Sequence, residues 1–339
     1  MTTTPKDSDS LKDVTVRVIQ ERDIDQVVEM HRLIGALVNA ETVRRWCRED
    51  PYSRRLVAEV DGRVVGKVTL DTAYPPYSEL VNLMVHPDYR RRGVANRLVQ
   101  GCIGEAGSRG HPIILLMTEP ENTPAINLYA RNGFINCIPG GPGEREFTWM
   151  MRLSEDSVAG GFLRDRPSSR FTPPRGRTRF HGRLLYGIRW DDLETGDHLG
   201  LLLEGQPGQP MRGGTAPRIA AATIKDGTRS VDLLIREEQA TIDAGKIARF
   251  RLLTVNSSEE EITIEWIGRL HPKGVRISEV STLPTTIKPG AEAVTRFTAG
   301  LDHGFDVPVL SFATVLLTLS VKIRGIESPL LVTAGFERG

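Results

Sequence analysis

Between residues 14 and 153 the hydrophobic positions switch repeatedly between a period of two and a period near 3.6, the pattern of a mixed α/β chain. Val14 to Ile19 alternates as a strand. Arg22-Asp23-Ile24-Asp25 then starts a helix that carries Ile24, Val27, Val28, Met30, Leu33, Ile34 and Leu37, and a second helix is predicted through Ala40 to Arg48. Leu56 to Val60 and Val64 to Leu70 read as a hairpin across Asp61-Gly62, a favoured turn dipeptide. A short apolar strand, Leu80 to Val85, is punctuated by His86-Pro87-Asp88, because proline withholds an amide and biases the preceding residue away from helix. From Val94 the apolar residues Val94, Leu98, Cys102 and Ala106 recur at four-residue steps, with Val99 and Ile103 beside them, which is one face of an amphipathic helix. Gly107 to Gly110 ends it. Pro112 to Met117 is a buried strand run, a helix spans Thr123 to Asn132 and stops at Gly133, and Phe134 to Ile138 with Phe147 to Leu153 form a hairpin across Pro139 to Gly143.

The texture changes after Leu153. Residues 154–180 mix Gly, Pro, Ser and Arg with almost no apolar periodicity and read as a linker. Arg164 to Arg189 holds eight arginines against one acid, Asp165, which suits a solvated basic linker or docking to an acidic face or a polyanion. Beyond it, ten short apolar runs separated by Gly, Pro, Asn and Asp turns (Arg183 to Trp190, Leu199 to Glu204, Arg218 to Ile224, Ser230 to Arg236, Ala248 to Val255, Glu261 to Ile267, Val275 to Val280, Ala293 to Thr298, Phe312 to Ile323 and Leu330 to Ala334) predict a β-sandwich. Thr241-Ile-Asp-Ala-Gly245-Lys-Ile-Ala248-Arg-Phe250 is echoed by Thr286-Ile-Lys-Pro-Gly290-Ala-Glu-Ala293-Val-Thr-Arg-Phe297 with one residue inserted, as expected where a turn leads into equivalent strands. From Ala240 onward the texture resembles bacterial immunoglobulin-like modules.

A length of 339 residues fits two domains: a tail at 1–13, an α+β domain at 14–153, the linker at 154–180 and a β-sandwich at 181–339. Net charge of +1 gives no global reason to expect nucleic acid or membrane binding. Cys47, Cys102 and Cys137 are odd in number and widely spaced, so neither a disulfide framework nor a metal knuckle is available, and a reducing cytoplasm fits. The polar stretch Met1 to Asp13 lacks the apolar core of a signal peptide. Val307 to Val321 contains Pro308 and is shorter than the ~20 residues of a spanning helix, so core strands explain it. No pair of the seven histidines has metal-ligand spacing, and no metal is expected. Ala106-Gly-Ser108-Arg-Gly110 misses the first glycine of a nucleophile elbow and reads as a turn.

Candidate chemistry concentrates after His86. Arg90-Arg91-Arg92-Gly93-Val94-Ala95 opens directly into the first turn of a helix, where unpaired amides and the positive end of the peptide dipole face outward. Gly93 and Ala95 let an anion approach those amides, and the arginines add long-range attraction: this is a pyrophosphate cradle. The loop resembles the Gln/Arg-x-x-Gly-x-Gly/Ala signature of the GNAT superfamily of acyl-CoA N-acyltransferases. Asn122-Thr-Pro-Ala125-Ile-Asn-Leu128-Tyr129-Ala-Arg-Asn-Gly133-Phe134 resembles that family's Asn-x-x-Ala-x-x-Leu-Tyr-x-x-x-Gly-Phe block, in the right order.

The resemblance covers roughly the first 150 residues and implies the GNAT fold, whose order of elements the predicted strands and helices follow. It also implies a gap between splayed fourth and fifth strands that takes the pantetheine of acetyl-CoA, and an amine acceptor. On this reading the backbone of Leu83, Met84 and Val85 pairs with pantetheine, Arg90, Arg91, Arg92, Gly93, Val94 and Ala95 take the pyrophosphate, and Tyr129 donates a proton to sulfur. Tyr129 alternatively packs one helix face beside Leu128. Asn122 binds the cofactor or caps its helix. Glu79, at the start of the strand before the loop, accepts the amine's proton or is a solvated strand-end residue. The implied activity is transfer of an acetyl group to an amine in a ternary complex, with the β-domain presenting substrate, binding a protein partner or mediating self-association. A non-catalytic acyl-CoA-binding scaffold and transfer from a carrier-protein thioester are the alternatives.

Overall fold

The computed structural model describes residues 14–48, 50–140, 147–205, 217–239, 241–242, 247–279, 286–301 and 315–338. The expected tail at 1–13, residues 141–143 of the expected Pro139–Gly143 turn, Val280, and 312–314 of the expected Phe312 strand lie outside them. The N-terminal part runs β1 (Thr15–Val18), α1 (Ile24–Leu33), α2 (Ala40–Trp46), β2 (Ser53–Val60), β3 (Arg63–Tyr74), β4 (Tyr77–Val85), α3 (Val94–Ser108), β5 (Ile113–Thr118), α4 (Thr123–Arg131), β6 (Ile135–Ile138) and β7 (Thr148–Leu153). This is the predicted order. Local chemistry sets the boundaries: Asn39 Oδ1 accepts the Thr42 amide at 2.8 Å to start α2, and Asp61 and Gly62 both take positive φ (50° and 76°), which a two-residue hairpin turn requires.

One seven-stranded sheet results, ordered β1-β2-β3-β4-β5-β7-β6, with β4 and β5 parallel and the other neighbours antiparallel. It is the GNAT fold. Strand alternation divides the sheet's side chains between two faces. Leu56, Val68, Leu70 and Leu80 pack against Val94, Leu98 and Cys102 of α3, while Val57 and Val64 meet Val27 and Met30 of α1 and Val43 of α2. At Gly66 a Cβ would lie 3.0 Å from both Leu98 Cδ1 and Val94 Cγ1, so glycine permits the close approach of α3.

Residues 154–180 are not an unstructured linker. They contain α5 (Val158–Asp165), β8 (Arg170–Thr172) and β9 (Arg177–Phe180). Ser157 Oγ caps α5 by accepting the Gly160 amide at 3.2 Å, and Val158, Ala159 and Phe162 are buried. Paired glycines hid this helix from periodicity, because its burial depends on surfaces distant in sequence. Part of the basic charge is met inside the chain: Arg166 pairs with Asp197 and Asp226 at 2.8 and 2.5 Å.

The rest is all β: β10 (Arg183–Asp191), β11 (His198–Glu204), β12 (Arg218–Asp226), β13 (Arg229–Gln239), β14 (Thr241–Ile242), β15 (Ala248–Asn256), β16 (Ile262–Leu270), β17 (Val275–Glu279), β18 (Thr286–Ile287), β19 (Glu292–Leu301), β20 (Val315–Ile323) and β21 (Leu330–Arg338). Two sheets form. The first is ordered β17-β19-β15-β13-β12-β11-β10-β8, with β9 also on β10, and the second β14-β21-β20-β16-β18. Strands β17-β19-β15 against β21-β20-β16 reproduce the two-sheet connectivity of an immunoglobulin-like sandwich, and the β10–β13 meander extends the first sheet through β13. The repeated segment has a structural counterpart, since β14 and β18 flank the second sheet while β15 and β19 pair in the first with Phe250 opposite Phe297.

A single core joins the parts. Ile113, Leu115, Cys137, Trp149 and Met151 of the GNAT sheet, Phe162 of α5, Ile188, Leu201 and Leu233 of the meander, and Leu317 and Val332 of the second sheet belong to one contiguous buried cluster. The nine-stranded sheet thus floors both the GNAT sheet and the smaller sheet. Tyr77, 1% exposed, pins the junction: its hydroxyl accepts the Ile219 amide at 3.1 Å and bonds Thr333 Oγ1 at 2.8 Å. The β11–β12 register shifts beside Ile219, from Leu202↔Ala221 to Leu203↔Ile219.

Candidate active site

The parallel pairing of β4 with β5 lasts only three residues, Tyr77↔Ile113, Ser78↔Ile114 and Glu79↔Leu115. Beyond Leu115, β5 stays on β7 to Thr118 and leaves β4. The β3 side explains why β4 turns: its register jumps from Thr69↔Val81 to Lys67↔Met84, so two residues of β4 face one of β3, and Asn82 takes φ 55° in this bulge. Between β4 and β5 a wedge opens with its apex at Glu79 and Leu115. Backbone groups from Leu80 to Val85 line one side, with no strand partner there among the described residues.

At the wide end of the wedge lies the arginine loop. Pro87–Tyr89 forms a 3-10 turn, the Arg90 amide is used by Pro87 O at 3.2 Å, and Arg91 (φ 61°) and Gly93 (φ 84°) then reverse the chain into α3. No side chain caps α3, and its first backbone bond is Arg97 N to Gly93 O at 3.1 Å. The amides of Val94, Ala95 and Asn96 precede that bond and form the uncapped start of a 15-residue helix. Arg90, Arg91 and Arg92 are exposed; Arg90 Nε reaches back to Val85 O at 3.3 Å, tying the loop to the end of β4.

The other predicted residues lie around the wedge. Asn122 is the N-cap of α4, its Oδ1 accepting the Ala125 amide at 3.2 Å, so the capping account describes its oxygen. Tyr129 is buried beside Phe134, ring centroids 5.7 Å apart, and burial pushes its phenol up to about 12. Glu79 is not a solvated strand-end residue. It is 1% exposed and the third residue of β4, a strand that begins at Tyr77 because Tyr74↔Tyr77 pairing extends the β3–β4 hairpin beyond the apolar run. Glu79 and Tyr129 approach from opposite sides: Tyr129 belongs to the α3 face, whereas Glu79 shares its face with its cross-strand partner Asp71.

On the Glu79 face a cleft of about 360 Å³ is lined by Trp46, Arg55, Lys67, Thr69, Asp71 and Asn82, among others. Sequence reading missed it. The signal is Lys67-x-Thr69-x-Asp71, three polar residues at one parity in a central strand whose other parity is Val68 and Leu70. Lys67 is 5% exposed, its Nζ stands 4.2 Å from the Trp46 ring centroid, and burial pulls its ammonium down to about 8. Burial likewise raises Asp71 to about 7.

Residues 27–134 match the model of the acetyltransferase (GNAT) family. An acetyltransferase of Pectobacterium atrosepticum is 31% identical over 130 residues, covering 36% of this chain and 90% of that protein. The chain belongs to the GNAT acetyltransferase family. A second relative, an uncharacterized N-acetyltransferase of Methanocaldococcus jannaschii, is 29% identical over 142 residues; the match takes in 37% of this chain and 62% of the archaeal protein's length. Among solved structures, the PaiA N-acetyltransferase of Thermoplasma acidophilum in complex with coenzyme A is 17% identical with a TM-score of 0.33, over 42% of this chain and 99% of that one.

Proposed function

We propose that the protein is an acetyl-CoA-dependent N-acetyltransferase that joins acetyl-CoA and an amine in one ternary complex. The observation that carries this reading is the wedge between β4 and β5, closed at Glu79↔Leu115 and opening toward the uncapped start of α3. Pantetheine amides add to the free edge at Leu83, Met84 and Val85 as an extra strand would, and the amides of Gly93, Val94 and Ala95 with Arg90, Arg91 and Arg92 hold the pyrophosphate.

The acceptor enters from the cleft side, where Glu79 takes a proton from its ammonium group. The neutral nitrogen then attacks the thioester carbonyl carbon, a C–N bond forms, and the C–S bond breaks with its electron pair leaving on sulfur. Tyr129, arriving from the opposite face, donates its phenolic proton to that sulfur, and the second proton, shed by the nitrogen as the amide forms, restores the phenol through water; a phenol pushed up to about 12 remains protonated at neutral pH and so is available as the acid. The C-terminal sheets close the rear of the GNAT sheet through the common core and keep β4 and β5 in place. Substrate presentation and assembly are further roles for them.

Acetyl transfer to an amine panel, run with wild type, Tyr129→Phe and Glu79→Gln, tests the reading. Loss of an acid or a base costs about 10²–10⁴-fold in rate. Unchanged rates in both variants would remove the role assignments. Absence of coenzyme A binding by calorimetry would remove the enzyme reading altogether, and stabilisation by pantetheine as large as by coenzyme A would favour a carrier-protein thioester.

A further inference from the structure

The cleft beside the wedge has an unusual charge arrangement. Arg55 is met by Asp50 at 3.4 Å, but among the described residues no carboxylate pairs with Lys67, although Lys67 is 95% removed from solvent. An ammonium in that position is costly unless something compensates it, and the Trp46 face supplies only part. At the other end of the cleft Asp71 likewise has no ion pair among the described residues. Register fixes the spacing: Lys67 lies opposite Met84, Thr69 opposite Val81 and Asp71 opposite Glu79. The cation and the anion are four residues apart on β3, about 13 Å along the strand, and flank the Asn82 bulge from either side with the Thr69 hydroxyl between them.

Resting on the acetyltransferase reading, we propose that this cleft selects an amine acceptor that also carries a carboxylate, Lys67 holding the carboxylate and Asp71 steering the ammonium toward Glu79. A plain amine would leave Lys67 buried without a counter-ion. A zwitterion meets both ends: its carboxylate offsets the burial that pulls the Lys67 ammonium down, and its ammonium offsets the burial that raises the Asp71 carboxyl. Trp46, at the end of α2, forms the wall that packs the lysine and gives the cleft its apolar side.

The test is a matched series: glycine, β-alanine, 4-aminobutyrate and 6-aminohexanoate against methylamine, ethylamine, n-propylamine and n-pentylamine, which differ pairwise only by the carboxylate. Acetyl transfer from acetyl-CoA gives kcat/KM, and calorimetry gives the affinity of each acceptor. Wild type is expected to favour the carboxylate-bearing member at least tenfold at one chain length or more. Lys67→Met should bring that ratio near one, and Lys67→Arg should keep it; Lys67→Gln replaces Lys67→Met if the latter does not fold. A wild-type ratio near one throughout, or a preference that survives loss of the cation, overturns the proposal. If neither series is acetylated, the acetyltransferase reading fails on its own account. The calorimetric ratios then decide this proposal separately: tighter carboxylate binding lost in Lys67→Met supports it, and equal affinities overturn it.

Discussion

Tyr77→Phe removes one oxygen from the place where the GNAT sheet, the meander and the smaller β-sheet meet. The ring stays and its packing with Ala73, Ile113 and Trp149 is kept, so the loss is confined to hydrogen bonding. Two partners are affected unequally. Thr333 Oγ1 retains its bond to Thr318 Oγ1 at 2.8 Å, whereas the Ile219 amide, beside a register shift, donates to the Tyr77 hydroxyl that the substitution removes. A buried donor left unmade costs about 1–3 kcal/mol, and with one group rather than two orphaned the lower half of that range, about 1–2 kcal/mol, is expected. Equilibrium urea unfolding gives the number, followed at once by tryptophan fluorescence and far-ultraviolet circular dichroism. Because one core spans both halves, both signals should move together. Thr333→Val in the Tyr77→Phe background should cost less than in wild type, with a coupling of at least ~0.5 kcal/mol. A destabilisation below ~0.3 kcal/mol, or strict additivity of the two substitutions, would refute the joint.

Three other outcomes are expected. Gly93→Ala places a Cβ at φ 84°, costing about 1–2 kcal/mol, which corresponds to roughly five- to thirtyfold weaker coenzyme A binding if the strain falls on the bound loop; calorimetry reads it. Tyr129→Phe should lower kcat far more than it raises KM, and equal changes in both would point to packing rather than proton donation. Asp71 is raised by burial from the usual carboxylate range to about 7, so the folded state keeps a proton that the unfolded chain releases; its contribution is full below about pH 4 and is lost as pH rises to 7. Asp71→Asn should therefore flatten the fall in urea midpoint across that window and leave wild type and variant alike below it, whereas parallel curves would contradict the assignment.

How far the chain could be read depended on whether an element's partner was local. The four-residue step of Val94, Leu98, Cys102 and Ala106 marked α3 because one continuous sheet face receives it, and Asp61-Gly62 marked the hairpin because its backbone conformation is a property of those two residues. The turn at Arg90 to Ala95 that leads into α3 was legible for the same reason. Of the two readings of Glu79 the solvated strand end falls away, and sequence could not decide this because the burial of Glu79 comes from β3 and β5. The helix at 158–165 is written in only a few apolar residues, and its partners lie in strands both before and after it. Lys67 and Asp71 were passed over because a hydrophobic run was read as one strand without separating its two parities, although the pocket uses only one.

The common floor bears on how this chain can be divided. Cutting after Leu153 would strip cover from Trp149, Met151, Ile113 and Leu115 at once, and the released β half would lose the ceiling over Ile188 and Leu201. The N-terminal piece would keep the cores under α3 and under α1 and α2 but bare the face that holds Trp149 and Met151, so separate expression should give material that clumps, while co-expressed fragments could reassemble. A graft of one part of this chain without the other therefore discards the wall on which its neighbour was built.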